Sequence, residues 1–280
     1  SISALNLNNL DTKTTVPVNA AAITTLNGTF ADINTIYSNN SAGQISGLGN
    51  EAITLSETIT VAQFNILAAK TSGIITATIS DNDMATLDGI TESGHALSIS
   101  VTDAVVVAAD LNALDAKTTV AIGATAITTL TGTLAALNTA YAAGTITGLA
   151  NEAVTVSDTG VIAAATLNTI DAATTGVVTV SGVTGLTGVA AQVTLALAGN
   201  GAANRIAGIP ANATATVTDA SVAAETLELI DSQTTGLVTV TGAAIEGNFT
   251  DVKAVLDANA ATPATIAGLD AINVTLDASL

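Results

Sequence analysis

A five-residue motif recurs five times along the chain, and it constrains the fold more than any other feature. It reads Leu7-Asn8-Asn9-Leu10-Asp11, Phe64-Asn65-Ile66-Leu67-Ala68, Leu111-Asn112-Ala113-Leu114-Asp115, Leu167-Asn168-Thr169-Ile170-Asp171 and Leu227-Glu228-Leu229-Ile230-Asp231. Three residues beyond each fifth position stands a hydroxyl pair: Thr14-Thr15, Thr71-Ser72, Thr118-Thr119, Thr174-Thr175 and Thr234-Thr235. Successive fifth positions lie 57, 47, 56 and 60 residues apart. Self-similarity at such a period marks a chain of stacked supersecondary units, each burying its apolar face against the next.

Two local patterns alternate within each period. Val154-Thr155-Val156-Ser157-Asp158 and Val178-Thr179-Val180-Ser181 alternate apolar and polar residues and are rich in β-branched side chains, so they predict strands with one buried face. Ala108/Leu111/Leu114, Ala164/Leu167/Ile170 and Ala224/Leu227/Ile230 follow helical spacing, as do Ala4/Leu7/Leu10 and Val61/Phe64/Leu67. A second stripe follows the next strand: Phe30/Ile33/Tyr37, Leu134/Leu137/Tyr141, Ala190/Val193/Leu197 and Phe249/Val252/Leu256. Thr29, Thr133 and Asn248 precede these stripes where an N-cap belongs, and Val189 breaks the rule. A further fragment, Ile45-Ser46-Gly47-Leu48, returns at 146–149, 206–209 and 266–269 as the approach to the next strand.

Each period thus reads strand, short helix, strand, short helix, and helical crossovers between parallel strands fit this order. The expected fold is an α/β repeat solenoid, a parallel β-sheet with short helices on the other side. Its five repeats span approximately 1–52, 53–98, 99–152, 153–212 and 213–280, without capping units. The second repeat has a curtailed helix near Met84 and Leu87. The shared grammar of the two half-periods favours one turn per half-period. An all-β solenoid is the alternative, because short Thr-rich helices have marginal propensity.

Composition agrees with thin layers. The 280 residues weigh 27.2 kDa, so small side chains dominate, with three Phe, two Tyr and no Trp. Five Lys and Arg against 23 Asp and Glu give a net charge of −18, which argues against nucleic acid as a partner. Apolar runs such as Val105-Val106-Val107-Ala108-Ala109 are far shorter than a membrane span, so no membrane insertion is expected. Without Cys, neither disulfides nor thiolate metal sites can form. The single His95, expected at the surface, leaves no Ser/His or zinc arrangement.

The termini read in phase with the repeat. Val274-Thr275-Leu276-Asp277-Ala278-Ser279-Leu280 matches the strand before each motif, and residues 1–11 are the motif with its lead-in. The start at Ser1 suggests a processed form or a fragment. Either the chain is a segment of a longer array, or copies continue the stack head to tail, as uncapped strand edges and a heterologous contact allow.

Few columns could carry chemistry. Acids recur at the strand ends: Glu57, Asp103, Asp158, Asp219 and Asp277. With Asp81 and Asp83 of the dense Asp81-Asn82-Asp83 run, Asp103, Asp158 and Asp219 are the calcium candidates, since calcium prefers carboxylate oxygens. The competing expectation is helix capping or turn formation. Asp11, Asp115, Asp171 and Asp231 are expected to close Asx turns, with Lys13, Lys70 and Lys117 two residues beyond that column. Sequons at Asn27, Asn39, Asn212, Asn248 and Asn273 occur as often as this Asn- and Thr-rich composition produces by chance. Thr15, Thr119, Thr175 and Thr235 fall at like positions, and an ice-binding Thr face is a minor alternative to ordinary strand preference.

The chain's own consensus is V-T-V-S-D…L-N-T-I-D-x-x-T-T-G-x-V-T…L-T-G-T…I-T-G-L-x-N-E-A, best matched at 163–176, 129–132 and 146–153. It resembles the repeat regions of very large secreted or surface proteins of bacteria, of the cyanobacterial type, loosely described as calcium-binding repeat proteins. The resemblance implies an extracellular or cell-surface structural or adhesive role, often with calcium, although the nonapeptide calcium motif is missing. The expected function is a non-enzymatic solenoid subunit of a filament or surface layer that self-associates head to tail into a homopolymer. The alternative is a segment of a giant cell-surface adhesin, stabilised by calcium. A solenoid polysaccharide lyase or hydrolase is disfavoured, because five aromatic residues are too few for sugar platforms.

Overall fold

The structure, a computed structural model, describes residues 1–201 and 205–277. It is an α/β protein whose strands pair in parallel, and the chain divides into two compact units. The first comprises residues 1–127 and 143–149, and the second 128–142 and 150–280.

The first unit carries helices α1 (Ala4–Asp11), α2 (Phe30–Ser41), α3 (Val61–Ala68), α4 (Met84–Leu87) and α5 (Ala108–Asp115). Its main sheet runs in the order Ile2–Ser3, Thr25–Gly28, Ala52–Ile59, Ile75–Ile79 and Ala96–Ser98. Two short ladders, Val18–Asn19 with Ile45–Ser46 and Ile122–Gly123 with Ile146–Thr147, belong to the same unit, as does the strand Val105–Val107. The second unit carries α6 (Leu134–Ala142), α7 (Ala164–Ala173), α8 (Ala190–Gly199), α9 (Ala224–Gln233) and α10 (Phe249–Ala260). Its sheet passes through Thr129–Gly132, Ala153–Ala163, Val178–Gly188, Thr214–Val217, Val238–Val240 and Ile266–Ala267. A second ladder joins Ser221–Ala223, Ala244–Gly247 and Asn273–Leu276.

Pairing partners lie about half a sequence period apart. Leu130 faces Val154, Val154 faces Val178, Leu186 faces Ala215 and Ala215 faces Val238. Each helix is therefore the crossover between neighbouring parallel strands, as this connection requires. The helices overturn the all-β alternative. Short Thr-rich helices are weak alone, but packing of one apolar stripe supplies what propensity lacks. Leu7, Phe64, Leu111, Leu167 and Leu227, the first residues of the five motifs, are all buried in that way.

Local signals behave as their chemistry requires. Thr29 and Asn248 accept the backbone N–H groups of Asp32 and Asp251 at the starts of α2 and α10, and Thr133 does the same for Ala136. Val189 offers no side-chain cap. The fragment 45–48 and its recurrences form two-residue strands that end at a left-handed glycine, with φ of 86° at Gly47 and 94° at Gly148 and Gly208, a region that favours glycine. The curtailed helix of the second repeat is α4, a single turn. Of the C-terminal match, Ala278, Ser279 and Leu280 lie outside the described residues.

Candidate functional site

Four of the five strand-end acids accept a backbone N–H from an element earlier in the chain. Asp158 accepts the N–H of Leu134 at 2.6 Å, Asp219 that of Ala190 at 2.6 Å, Asp103 that of Met84 at 2.8 Å, and Glu57 that of Phe30 at 2.9 Å. Asp81 accepts from Val61 at 2.7 Å. In each case the donor is the first residue of a helix, where N–H groups lack intrahelical acceptors and the helix dipole favours negative charge. These acids cap a helix of the neighbouring layer rather than the helix that follows them in sequence. Asp83 is a local N-cap on the N–H and hydroxyl of Thr86, and these two donors hold its carboxyl below the ordinary carboxylate range. Asp277 donates its N–H to Gly247 as Thr218 does to Gly188, so it stands one position short of the Asp219 column. That place falls on Ala278, outside the described residues.

The calcium candidates Asp81, Asp83, Asp103, Asp158 and Asp219 are thus each engaged at a helix start. Among the described residues, no group of three or more His, Cys, Asp or Glu side chains gathers to hold a metal ion.

The other motif positions also tie layer to layer. The motif Asn donates to a carbonyl in the first turn of the next layer's helix, or to the loop in its place: Asn8 to Asp32, Asn65 to Gly89 and Asn168 to Gln192. The fifth-position acids do not close Asx turns as expected. Asp11 accepts from Asn39, Asp115 from Thr145, Asp171 from Arg205 and Asp231 from Thr265, all 28 to 34 residues away. Of the described cations, Arg205 pairs with Asp171 and Lys253 with Asp257, while Lys13, Lys70 and Lys117 form no ion pair. In four of the five pairs the first hydroxyl points back to the preceding layer, while Thr14 donates to the carbonyl of Val16. Thr71 donates to Glu51, Thr118 to Leu97, Thr174 to Glu152 and Thr234 to Ala213. The second member of each pair, Thr15, Thr119, Thr175 and Thr235 among them, is exposed.

Two buried features escaped the sequence reading. Glu51 accepts the N–H groups of Gly49 and Asn50 and the hydroxyl of Tyr37. Glu152 does the same with Ala150, Asn151 and Tyr141. Burial, reinforced by the adjoining carboxylate, pushes both phenols far above their ordinary range. Leu197 and Ala213 occupy the equivalent places in the next repeat. Tyr and Glu are therefore lost together, since burying either without the other strands a polar group. The signal was present in the sequence as Tyr at the end of a stripe followed by N-E-A.

His95 is the second. It is buried, not at the surface, edge-on to Phe64 at 5.2 Å between ring centroids. Its Nδ1 accepts the N–H of Ile75 at 3.0 Å, and burial holds its pKa below the ordinary 6.5 against an opposing pull from Glu92. An imidazole thus serves where the strand would otherwise find a carbonyl. A groove in the first unit, lined by Ser56, Thr76, Thr78 and Ser98, contains a single titratable group, Glu57.

The ends of the chain differ from the interior in one respect. Leu10 is 51% exposed, whereas its counterparts Leu67, Leu114, Ile170 and Ile230 are buried. Val274 is 45% exposed, whereas Ile53, Ile99, Val154 and Ala215 in the same column are buried. Leu276 is exposed where Val101, Val156 and Val217 are buried, with Leu55 between these extremes.

No helix among the described residues is long and apolar enough to cross a membrane. The chain matches no family model, no curated protein and no solved structure.

Proposed function

We propose that the chain is a non-enzymatic structural protein, a solenoid subunit of an extracellular filament or surface layer whose copies join head to tail. The observation that carries this reading is the exposure of Leu10, Val274 and Leu276, core residues by column and surface residues only where the neighbouring layer ends. Exposed apolar columns of this kind mark an interaction face. The polar side chains support the same reading, because Asp11, Asp115, Asp171 and Asp231, the Asn of three motifs and the first Thr of four hydroxyl pairs bond between successive layers. A catalytic site needs such groups free to meet a substrate. The placement outside the cell rests on the resemblance to secreted repeat regions. The net charge of −18 would keep such an array soluble and repel anionic surfaces.

Negative-stain microscopy of purified protein, with and without a chelator, tests the proposal. Unbranched fibres or sheets of uniform width in both conditions are expected. Discrete particles at every concentration would overturn it.

A further inference from the structure

The register between interior layers specifies how two copies would meet. The strands that open each layer pair with the segment after the next hydroxyl pair: Ile53 with Ile75, Val154 with Val178 and Ala215 with Val238. The leading N–H donates to the residue just before that partner, from Ile53 to Ile74, Val154 to Val177 and Ala215 to Leu237. Two strands lack these neighbours among the described residues. Asn273–Leu276 pairs only with Ala244–Gly247, and Val18–Asn19 pairs only with Ile45–Ser46. By column, Val274 is a leading residue with no follower, and Val18 is a follower with no leader.

We propose that these two free edges are partners, one from each of two copies of this chain, and that they pair in parallel with Val274 opposite Val18 and Thr275 opposite Asn19. The inference rests on the head-to-tail reading and gives it a register. Three hydrogen bonds follow from the interior pattern. Val274 N–H donates to the carbonyl of Pro17 of the second copy. Proline there costs this bond nothing, because its place contributes only a carbonyl. The Thr14 hydroxyl of the second copy donates to Ile272, as Thr71, Thr118, Thr174 and Thr234 do to the corresponding carbonyls. The Thr15 N–H of the second copy donates to Asp270, as Ser72 does to Gly49, Thr119 to His95, Thr175 to Ala150 and Thr235 to Ala211. Val16 stands where Gly73, Gly176 and Gly236 stand in other layers; Val120 occupies that column in an interior layer where Thr118 and Thr119 keep their bonds to Leu97 and His95. The contact also brings the exposed Val274 and Leu276 to the layer that begins with exposed Leu10. A contact that uses different surfaces on the two copies is heterologous and propagates.

The chain has no cysteine, so introduced thiols report the contact without background. Thr275→Cys and Asn19→Cys are made in separate chains, mixed, and treated with a short bismaleimide. Thr155→Cys/Thr179→Cys in one chain, a registered interior pair, is the positive control. The mixture is expected to give a covalent dimer, and neither variant alone should. Adding Leu276→Asp to the Thr275→Cys chain is expected to abolish the dimer while circular dichroism stays unchanged. If the control cross-links and light scattering shows oligomers, yet the mixture gives no dimer, the register is wrong and the head-to-tail reading survives. If no oligomers form at any concentration, both fall.

Discussion

The carboxylate of Asp158 lies 2.6 Å from the backbone nitrogen of Leu134, the first residue of a helix 24 positions earlier in the chain. The acid therefore completes a helix that closed before its own strand began, and the pattern recurs at Asp219, Asp103, Asp81 and Glu57.

Asp158→Ala should remove that cap at a cost of about 1 kcal/mol, the usual worth of a capping side chain. For a chain of this size that lowers Tm by roughly 2–4 °C. Asp158→Asn keeps an acceptor oxygen and should lose only the charge contribution, about 0.3–1 kcal/mol. Because the carboxylate is occupied by a backbone donor, calcium and chelator should leave the wild-type Tm unchanged in thermal melts followed by circular dichroism. A rise in Tm with calcium that disappears in Asp158→Ala would refute this account.

Tyr141 and Glu152 should behave as a coupled pair. Tyr141→Phe withdraws a donor from a buried carboxylate and is expected to cost about 1–3 kcal/mol. The double variant Tyr141→Leu/Glu152→Ala reproduces the Leu197 and Ala213 of the following repeat. Denaturant titrations of Tyr141→Leu, Glu152→Ala and the double should yield a coupling of at least about 1 kcal/mol, as contacting residues do. Additive losses would mean that the hydroxyl contributes nothing.

What was legible beforehand was local or periodic. The stripe Leu134/Leu137/Tyr141 announced α6, and Thr29 announced the start of α2, because a helix's face and its cap lie within a few residues of each other. The roles of Asp171 and Asn168 were not legible. Their partners, Arg205 and Gln192, stand 34 and 24 residues away, and only the register of the layers brings them together. His95 misled for the same reason. A lone imidazole in an irregular repeat looks solvated until Ile75 and Phe64 close over it.

Thr174 is a buried hydroxyl that donates to Glu152 at 2.7 Å and accepts from Gly176 at 3.0 Å. Thr174→Val preserves the shape and orphans both partners, so a loss of about 1–3 kcal/mol is expected. Thr174→Ser should restore most of it. Equal losses in the two variants, measured by urea unfolding, would show that the methyl group matters rather than the hydroxyl.

His95 should make stability depend on pH. Burial depresses its pKa in the folded chain, so the unfolded chain binds the proton more readily. The contribution is complete above the unfolded value near 6.5 and is lost as pH falls through the lower folded value, opposed in part by Glu92. His95→Ile, which continues the line of Ile53 and Ile75 across the sheet, should flatten that part of the profile. An unchanged slope in Tm against pH would assign the dependence to the carboxylates instead.

The side-chain bonds from Asp171 and Asp231 reach 34 residues along the chain, and those from the motif Asn and Thr reach 20 to 24. A chain tied at such short range can fold as an advancing front, because closing small loops costs little entropy. A polypeptide emerging end first from a ribosome or an export channel would need only the next thirty or so residues to lock each layer. The order of appearance of the sequence then becomes the order in which its elements lock together.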